Sequence, residues 1–289
     1  MNRTSVPTVQ RRLLAFELKR LRERSGMTGD DLARQLGWSP SKVSRVENAR
    51  ISISQDDTDK FLDLFEVTES RRTRLIKLAA SSPTPPSWRH REPMSQSLLA
   101  FLEIETLSTS TRQWCTSFVP GILQTEEYAK TLIENWRLVD VGLTASQVEE
   151  RVALRLSRQS ILSPPVSATY YIILDESVLI RRFGSKRIMH QQLAKLLDIS
   201  LQSHVELFVL PLGGAHGILD ESFTLFNLGD DETPGSSLPY IGSNTSEQFV
   251  FDELRAATLE REFAILRNSA LSGKEAHKII RYHQRAFDF

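Results

Sequence analysis

The chain has 289 residues, 40% of them apolar and 25% charged, and its 36 Lys and Arg balance its 36 Asp and Glu. These values exclude a disordered chain, a collagen-like repeat and a disulfide scaffold, and the length predicts about two domains. A zero net charge argues against nucleic-acid binding only if the charge is evenly spread, and it is not.

Residues 1–80 carry 16 basic and 11 acidic side chains, so the other 209 residues carry the compensating negative excess. Within the first fifty residues the counts are 11 and 5. The N-terminal quarter is a basic module on a mildly acidic body. Such a module is attracted to phosphate, although a solvated surface explains uneven charge equally well. One cysteine, Cys115, precludes an intramolecular disulfide and fits a reducing compartment. Its place in the alternating stretch from Thr111 to Val119 predicts a buried thiol. Met1 to Gln10 hold no apolar segment of signal-peptide type, and no apolar run has the length of a membrane helix. The expectation is a soluble, cytoplasmic, nucleoid-associated protein with no membrane partner.

In chain order, residues 11–81 read as five short helices. Leu14, Leu18 and Leu21 lie on one helical face, and Ser25-Gly26 ends that helix. Thr28 is a good N-cap with Asp31 three residues on, and Leu32, Ala33 and Leu36 make the next stripe. Gly37 closes this helix, and its lack of a Cβ suits a left-handed turn. Ser39-Pro40 opens a third helix with a capping hydroxyl and a proline at the first position. Val43 and Val46 face inward from it. Phe61, Leu62, Leu64 and Phe65 supply a fourth helix, and Leu75, Ile76 and Leu78 a fifth.

Residues 28–48 therefore form helix, glycine turn, helix, at the size of a DNA-reading helix-turn-helix. Ser39, Ser41, Lys42, Ser44 and Arg45 are left on the outer face of the second helix. Short hydroxyls and long cations hydrogen-bond base edges and phosphates, and arginine reads guanine with two bonds. With Thr28 before them and Arg50 after, these are the expected DNA contacts. A generic helical hairpin with a polar face is the plain alternative.

The L-K-R-L-R-E-R-S-G-M-T run (18–28) and the S-K-V-S-R-V-E-N run (41–48) resemble the Xre/Cro-type helix-turn-helix family over about Leu13 to Ala79. The resemblance implies a five-helix, lambda-repressor-like domain. It also implies a structural pair between an arginine of the first helix and a glutamate of the recognition helix, here Arg22 and Glu47. The chain departs from the family in carrying Gly29-Asp30 where a glutamine is usual, and Ala49 where a glycine is usual.

Ser81 to Ser87 hold three prolines and cannot continue a helix, which predicts a linker over 82–91 and a second domain over 92–289. That part reads as α+β. Helices are expected over Met94–Thr106, from Thr125 through Trp136, from Thr144 to about Leu162, and over Ser185–Ser200. Strands are expected over Trp114–Val119, Ala168–Asp175, Val205–Leu210, Phe223–Leu228 and Ser237–Ile241. The last forty residues read as helical, with Leu254, Leu259, Phe263 and Leu266 along one face.

Four blocks carry a second resemblance: F-V-P-G-I-L-Q-T-E-E-Y-A (118–129), R-L-S-R-Q-S-I-L (155–162), I-L-D-E-S-V-L-I-R-R (173–182) and V-L-P-L-G-G-A-H-G (209–217). Over roughly Glu92 to Ile280 the chain is similar to a Scr1-like domain that follows such helix-turn-helices in streptomycetes and other actinobacteria. The resemblance implies a transcriptional regulator and a nearby gene for a small acidic protein partner.

Signs of enzyme chemistry are weak. Leu212 to Gly217 lack the Lys-Ser/Thr of a phosphate-binding loop. The six histidines have no metal-ligand spacing, so neither a metal nor a cofactor is expected. Asp175-Glu176 is read as a turn or helix cap ahead of a catalytic pair. Arg155, Arg158, Arg181 and Arg182 are read as solvated or salt-bridged ahead of an anion cluster. The expected function is a non-enzymatic, dimeric transcriptional regulator on a palindromic duplex operator, with the second domain dimerising and receiving a signal or partner. The alternative is an antitoxin-like protein that sequesters a small partner.

Overall fold

The computed structural model describes residues 8–80, 96–140, 142–163, 168–213, 221–229, 237–242 and 247–288. The expected linker at 82–91 lies outside them, as do Gly214 to Gly217 of the glycine-rich stretch. The described N-terminal part forms α1 (Val9–Arg24), α2 (Gly29–Leu36), α3 (Pro40–Glu47), α4 (Gln55–Asp63) and α5 (Glu69–Ala79). A hydroxyl caps each: Thr8, Thr28, Ser39, Ser54 and Thr68 each accept from the backbone N–H three residues on. Each cap satisfies a donor that the first helical turn leaves unpaired. The apolar faces meet over Leu13, Leu18, Leu32, Val43, Phe61, Leu62 and Leu75, all buried.

One buried charge cluster crosses this core. Glu17 of α1 accepts from Arg20 at 3.0 Å and from Arg71 of α5 at 2.9 Å, and all three residues are buried. The carboxylate pairs with both guanidinium groups in a dry setting.

The second domain contains α6 (Gln96–Leu107), β1 (Ser110–Cys115), α7 (Glu126–Arg137), α8 (Ala145–Arg158), β2 (Thr169–Asp175), α9 (Ser177–Ile180), α10 (Lys186–Ile199) and β3 (Val205–Leu210). Then come β4 (Phe223–Asn227), β5 (Leu238–Gly242), β6 (Glu247–Phe249), α11 (Glu253–Ser269), β7 (Leu271–Ser272) and α12 (Gly273–Arg285). The strands form one mixed sheet, β6-β5-β4-β1-β2-β3-β7. β1, β2 and β3 run parallel, with Trp114 opposite Ile173 and Ile173 opposite Phe208, and the other pairings are antiparallel. Parallel strands need long crossovers, and α7, α8, α9 and α10 provide them. Ile172, Leu174 and Leu207 face one layer, with Leu193 of α10 and Ile280 of α12. Trp114, Ile173, Phe208 and Leu225 face Phe263 and Leu266 of α11.

The β4–β6 end of the sheet joins the two domains. Leu13 and Leu14 share a continuous apolar cluster with Phe101, Phe226, Leu238 and Phe249. The Phe16 ring meets Phe251 edge-on at 6.2 Å, and the Arg12 guanidinium sits 4.2 Å over that same ring. Arg74 donates to the Leu228 carbonyl at 2.8 Å, and Gln10 hydrogen-bonds Glu103 of α6.

Several boundaries differ from the sequence reading. β1 begins at Ser110 and ends at Cys115, because pairing with β2 and β4 on both sides sets its extent. The helix that starts at Ala145 ends at Arg158 and tightens into a 3-10 turn over Gln159–Leu162. Leu254 is 80% exposed, off the face shared by Leu259, Phe263 and Leu266. The last forty residues are two helices: β7 pairs with β3, and Gly273 turns the chain at φ +49°. Leu271 and Ser272 are too few for a strand pattern, so β7 exists only through its partner.

Replacing Glu17 with Ala leaves Arg20 and Arg71 buried beside each other. Urea unfolding followed by tryptophan fluorescence is expected to show a loss of about 3–5 kcal/mol. A loss below about 1 kcal/mol would mean that the two arginines reach water unaided.

Candidate nucleic-acid interface

The helix-turn-helix is built from local bonds. Thr28 and Asp31 form a reciprocal capping box, with 3.2 Å bonds in both directions. The bonds from Thr28 hold the Asp31 carboxyl below its ordinary range. Gly37 ends α2 at φ +66°, where a side chain would be strained. Ala33, buried, keeps the neighbouring backbone close. Ser39 then caps α3 through the Lys42 N–H at 3.1 Å, with Pro40 at the first position. Val43 and Val46 point into the core. Ala49 takes φ +54° in the turn that follows.

Ser39, Ser41, Ser44 and Arg45 are exposed on α3, as are Thr28 before it and Arg50 after it. The Arg45 Nε donates to the Ser41 carbonyl at 3.2 Å, which steers the guanidinium along the helix toward its N-terminus. Lys42 is placed differently. Its ammonium donates to Asp57 of α4 at 2.7 Å and lies 4.0 Å over the Trp38 ring. Trp38 precedes the Ser39 cap and Asp57 lies fifteen residues away on another helix, so no helical spacing announces either contact.

Arg22 orients the unit. Its Nε and Nη2 donate to the two oxygens of Glu47 at 2.6 and 3.0 Å, and its Nη1 donates to the Met27 carbonyl at 2.8 Å. Both side chains are largely buried, at 11% and 8% exposure. One guanidinium thus ties α1 to the end of α3 and to the turn before α2. A two-bond arginine–carboxylate pair fixes angle as well as distance. Glu47 in return raises the Arg22 pKa, chiefly through its hydrogen bond.

The other sequence candidates separate. Arg158 makes two bonds to Glu105, at 3.0 and 2.9 Å, and Arg181 and Arg182 are exposed. Arg155 lies beside Arg158 and donates to Gln124 at 2.9 Å. Asp175 caps the Ser177 N–H, while Glu176 meets His283 and the Leu212 N–H, each at 2.7 Å. These are turn and helix-anchoring roles. Cys115 is buried, and desolvation pushes its thiol pKa up. Among the described residues no cluster of His, Cys, Asp or Glu has metal-binding form, and no helix is long and apolar enough to cross a membrane.

Two family models match the chain. One, described as a helix-turn-helix domain, covers residues 13–75. The other, described as a domain of unknown function (DUF5753), covers residues 98–282, and the chain belongs to that family. No curated protein matches it. A helix-turn-helix is a DNA-reading unit, and this chain carries one followed by a domain of unknown function.

Lys42 holds the Asp57 carboxyl below its ordinary range. The pair is therefore intact at neutral pH and is lost as pH falls through that lowered value. Asp57→Asn is expected to release Lys42 at a cost under about 1 kcal/mol. Affinity for duplex DNA then rises, and the slope of log K against log salt steepens by about one. Lys42→Ala in the Asp57→Asn background should return the slope. An unchanged slope in the single variant would show that Lys42 does not reach phosphate.

Proposed function

We propose that this member of the DUF5753 family is a sequence-specific transcriptional regulator of the Xre/Cro type, with α3 inserted in the major groove of duplex DNA. One observation carries the reading. Both valines of α3 are turned into the core, while Ser39, Ser41, Ser44 and Arg45 stand exposed on a helix held at both ends. Arg45 is assigned to a base edge, guanine by preference, because its fork matches the two acceptors of that base. The serines serve base edges and phosphates, and Thr28 and Arg50 flank them as phosphate contacts. Lys42 joins them once phosphate competes it away from Asp57. The reading gives the chain no catalytic role and needs no cofactor.

Two copies with reading helices about 34 Å apart would match a palindromic operator. The second domain is assigned to dimerisation and to receiving a signal or protein partner, on the soluble, nucleoid side of the cell. The apolar cluster that runs from Leu13 to Phe249 supports this, because a change in the second domain bears directly on the helix that carries Arg22.

The test starts from a duplex selected out of random sequence by the full-length chain. Arg45→Ala is expected to weaken binding to that duplex by about 1–3 kcal/mol and to relax preference at one base pair, with an unchanged melting temperature. Unchanged affinity would remove Arg45 from the interface. Failure to enrich any duplex would overturn the regulator reading as a whole.

A further inference from the structure

A cavity of about 170 Å³ opens at the carboxyl end of β1. The chain leaves β1 toward β2 and β3 on one side and returns as β4 on the other. Concave sites with apolar walls and a few placed polar groups are where small ligands bind. Phe101, Phe118 and Tyr240 contribute rings to its walls. A cavity of about 150 Å³ holds one benzene ring.

The polar part of the wall is cationic. Arg155 and Arg158 enter it one helical turn apart, with Gln124 beside them. Arg158 is already matched by Glu105 with two bonds. Arg155 donates to the neutral Gln124 amide, and among the described residues it forms no ion pair. Gln124 is wholly buried and donates its own amide to the Val119 carbonyl at 2.6 Å, so its oxygen is fixed on Arg155. Desolvation, then the like charges of Arg158 and Arg151, push the Arg155 pKa down to about 10. A partly buried cation with no carboxylate partner among the described residues, on a ring-lined cavity, asks for an acceptor with negative charge and a flat body.

We propose that this cavity binds a small aromatic carboxylate, the carboxylate on Arg155 and the ring between the aromatic walls. The proposal deepens the signal-receiving role given above and rests on that reading only for what the occupant does. α6 links the two ends: Phe101 lines the cavity, and two residues on Glu103 hydrogen-bonds Gln10 of α1. An occupant therefore touches the helix on which the DNA-reading domain is seated.

The experiment uses the full-length chain with benzoate, its neutral isostere benzamide, and acetate as probes in titration calorimetry without DNA. Benzoate is expected to saturate one site, with benzamide and acetate at least about tenfold weaker. Arg155→Gln should remove the preference for benzoate over benzamide, and Arg155→Lys should keep part of it. Leu98→Trp, which fills the cavity and leaves the arginines in place, should weaken benzoate at least about tenfold as well. Equal binding of benzoate and benzamide, no saturable binding, or benzoate binding untouched by both Arg155→Gln and Leu98→Trp would each overturn the site. The operator measurement is separate. Benzoate that binds and shifts operator affinity supports both the site and the signal role. Benzoate that binds without shifting it supports the site and overturns the signal role alone.

Discussion

The bond between Arg22 and Glu47 is the constraint on which the placement of α3 depends. α3 is eight residues long and cannot hold its direction by propensity alone. Val43 and Val46 fix which face is buried, but two valines leave the helix free to pivot. Arg22 removes that freedom with two bonds to the end of α3, while a third to Met27 fixes the entry to α2. The pair is nearly dry, so it resists salt better than the surface contacts it positions. Lys42 shows the complementary case: a cation of α3 held by a partly exposed carboxylate.

The same economy governs the join between the domains. The N-terminal bundle does not end in solvent on its α1 side. It continues through Phe16 and Arg12 onto Phe251, and through Leu13 and Leu14 toward the β4–β6 end of the sheet. The charge division makes sense against this. The basic excess of residues 1–80 stays with the module that approaches phosphate, while the remainder carries the negative excess. The apolar seam holds the basic part of the chain against the acidic remainder.

Local signals were legible wherever a single segment decides its own structure. The caps at Thr28, Ser39, Thr125 and Thr144 follow from a hydroxyl three residues ahead of a backbone N–H, and each is seen. Gly37 turns left-handed for the reason its missing Cβ suggests. Legibility failed where a distant partner decides. β1 starts four residues ahead of its apolar end because β2 and β4 recruit Ser110 to Gln113. Leu254 reads as core by spacing and is exposed, since spacing ranks positions on a helix but does not say where the neighbour ends. The four arginines looked alike, and Glu105, fifty-three residues from Arg158, separates them.

The sequence by itself determined the helical bundle, the polar face of α3, the α+β character of the second domain and the uneven charge. Each of these rests on composition or on period, and both are properties of contiguous chain. Tertiary structure alone decided the strand order around β1, the seam between the domains, the capture of Lys42 by Asp57 and the cavity in which Arg155 has no carboxylate partner among the described residues. These depend on which segments meet after the chain has closed loops of tens to more than a hundred residues. No local pattern encodes such a meeting, because what selects it is the sum of burial over the whole core.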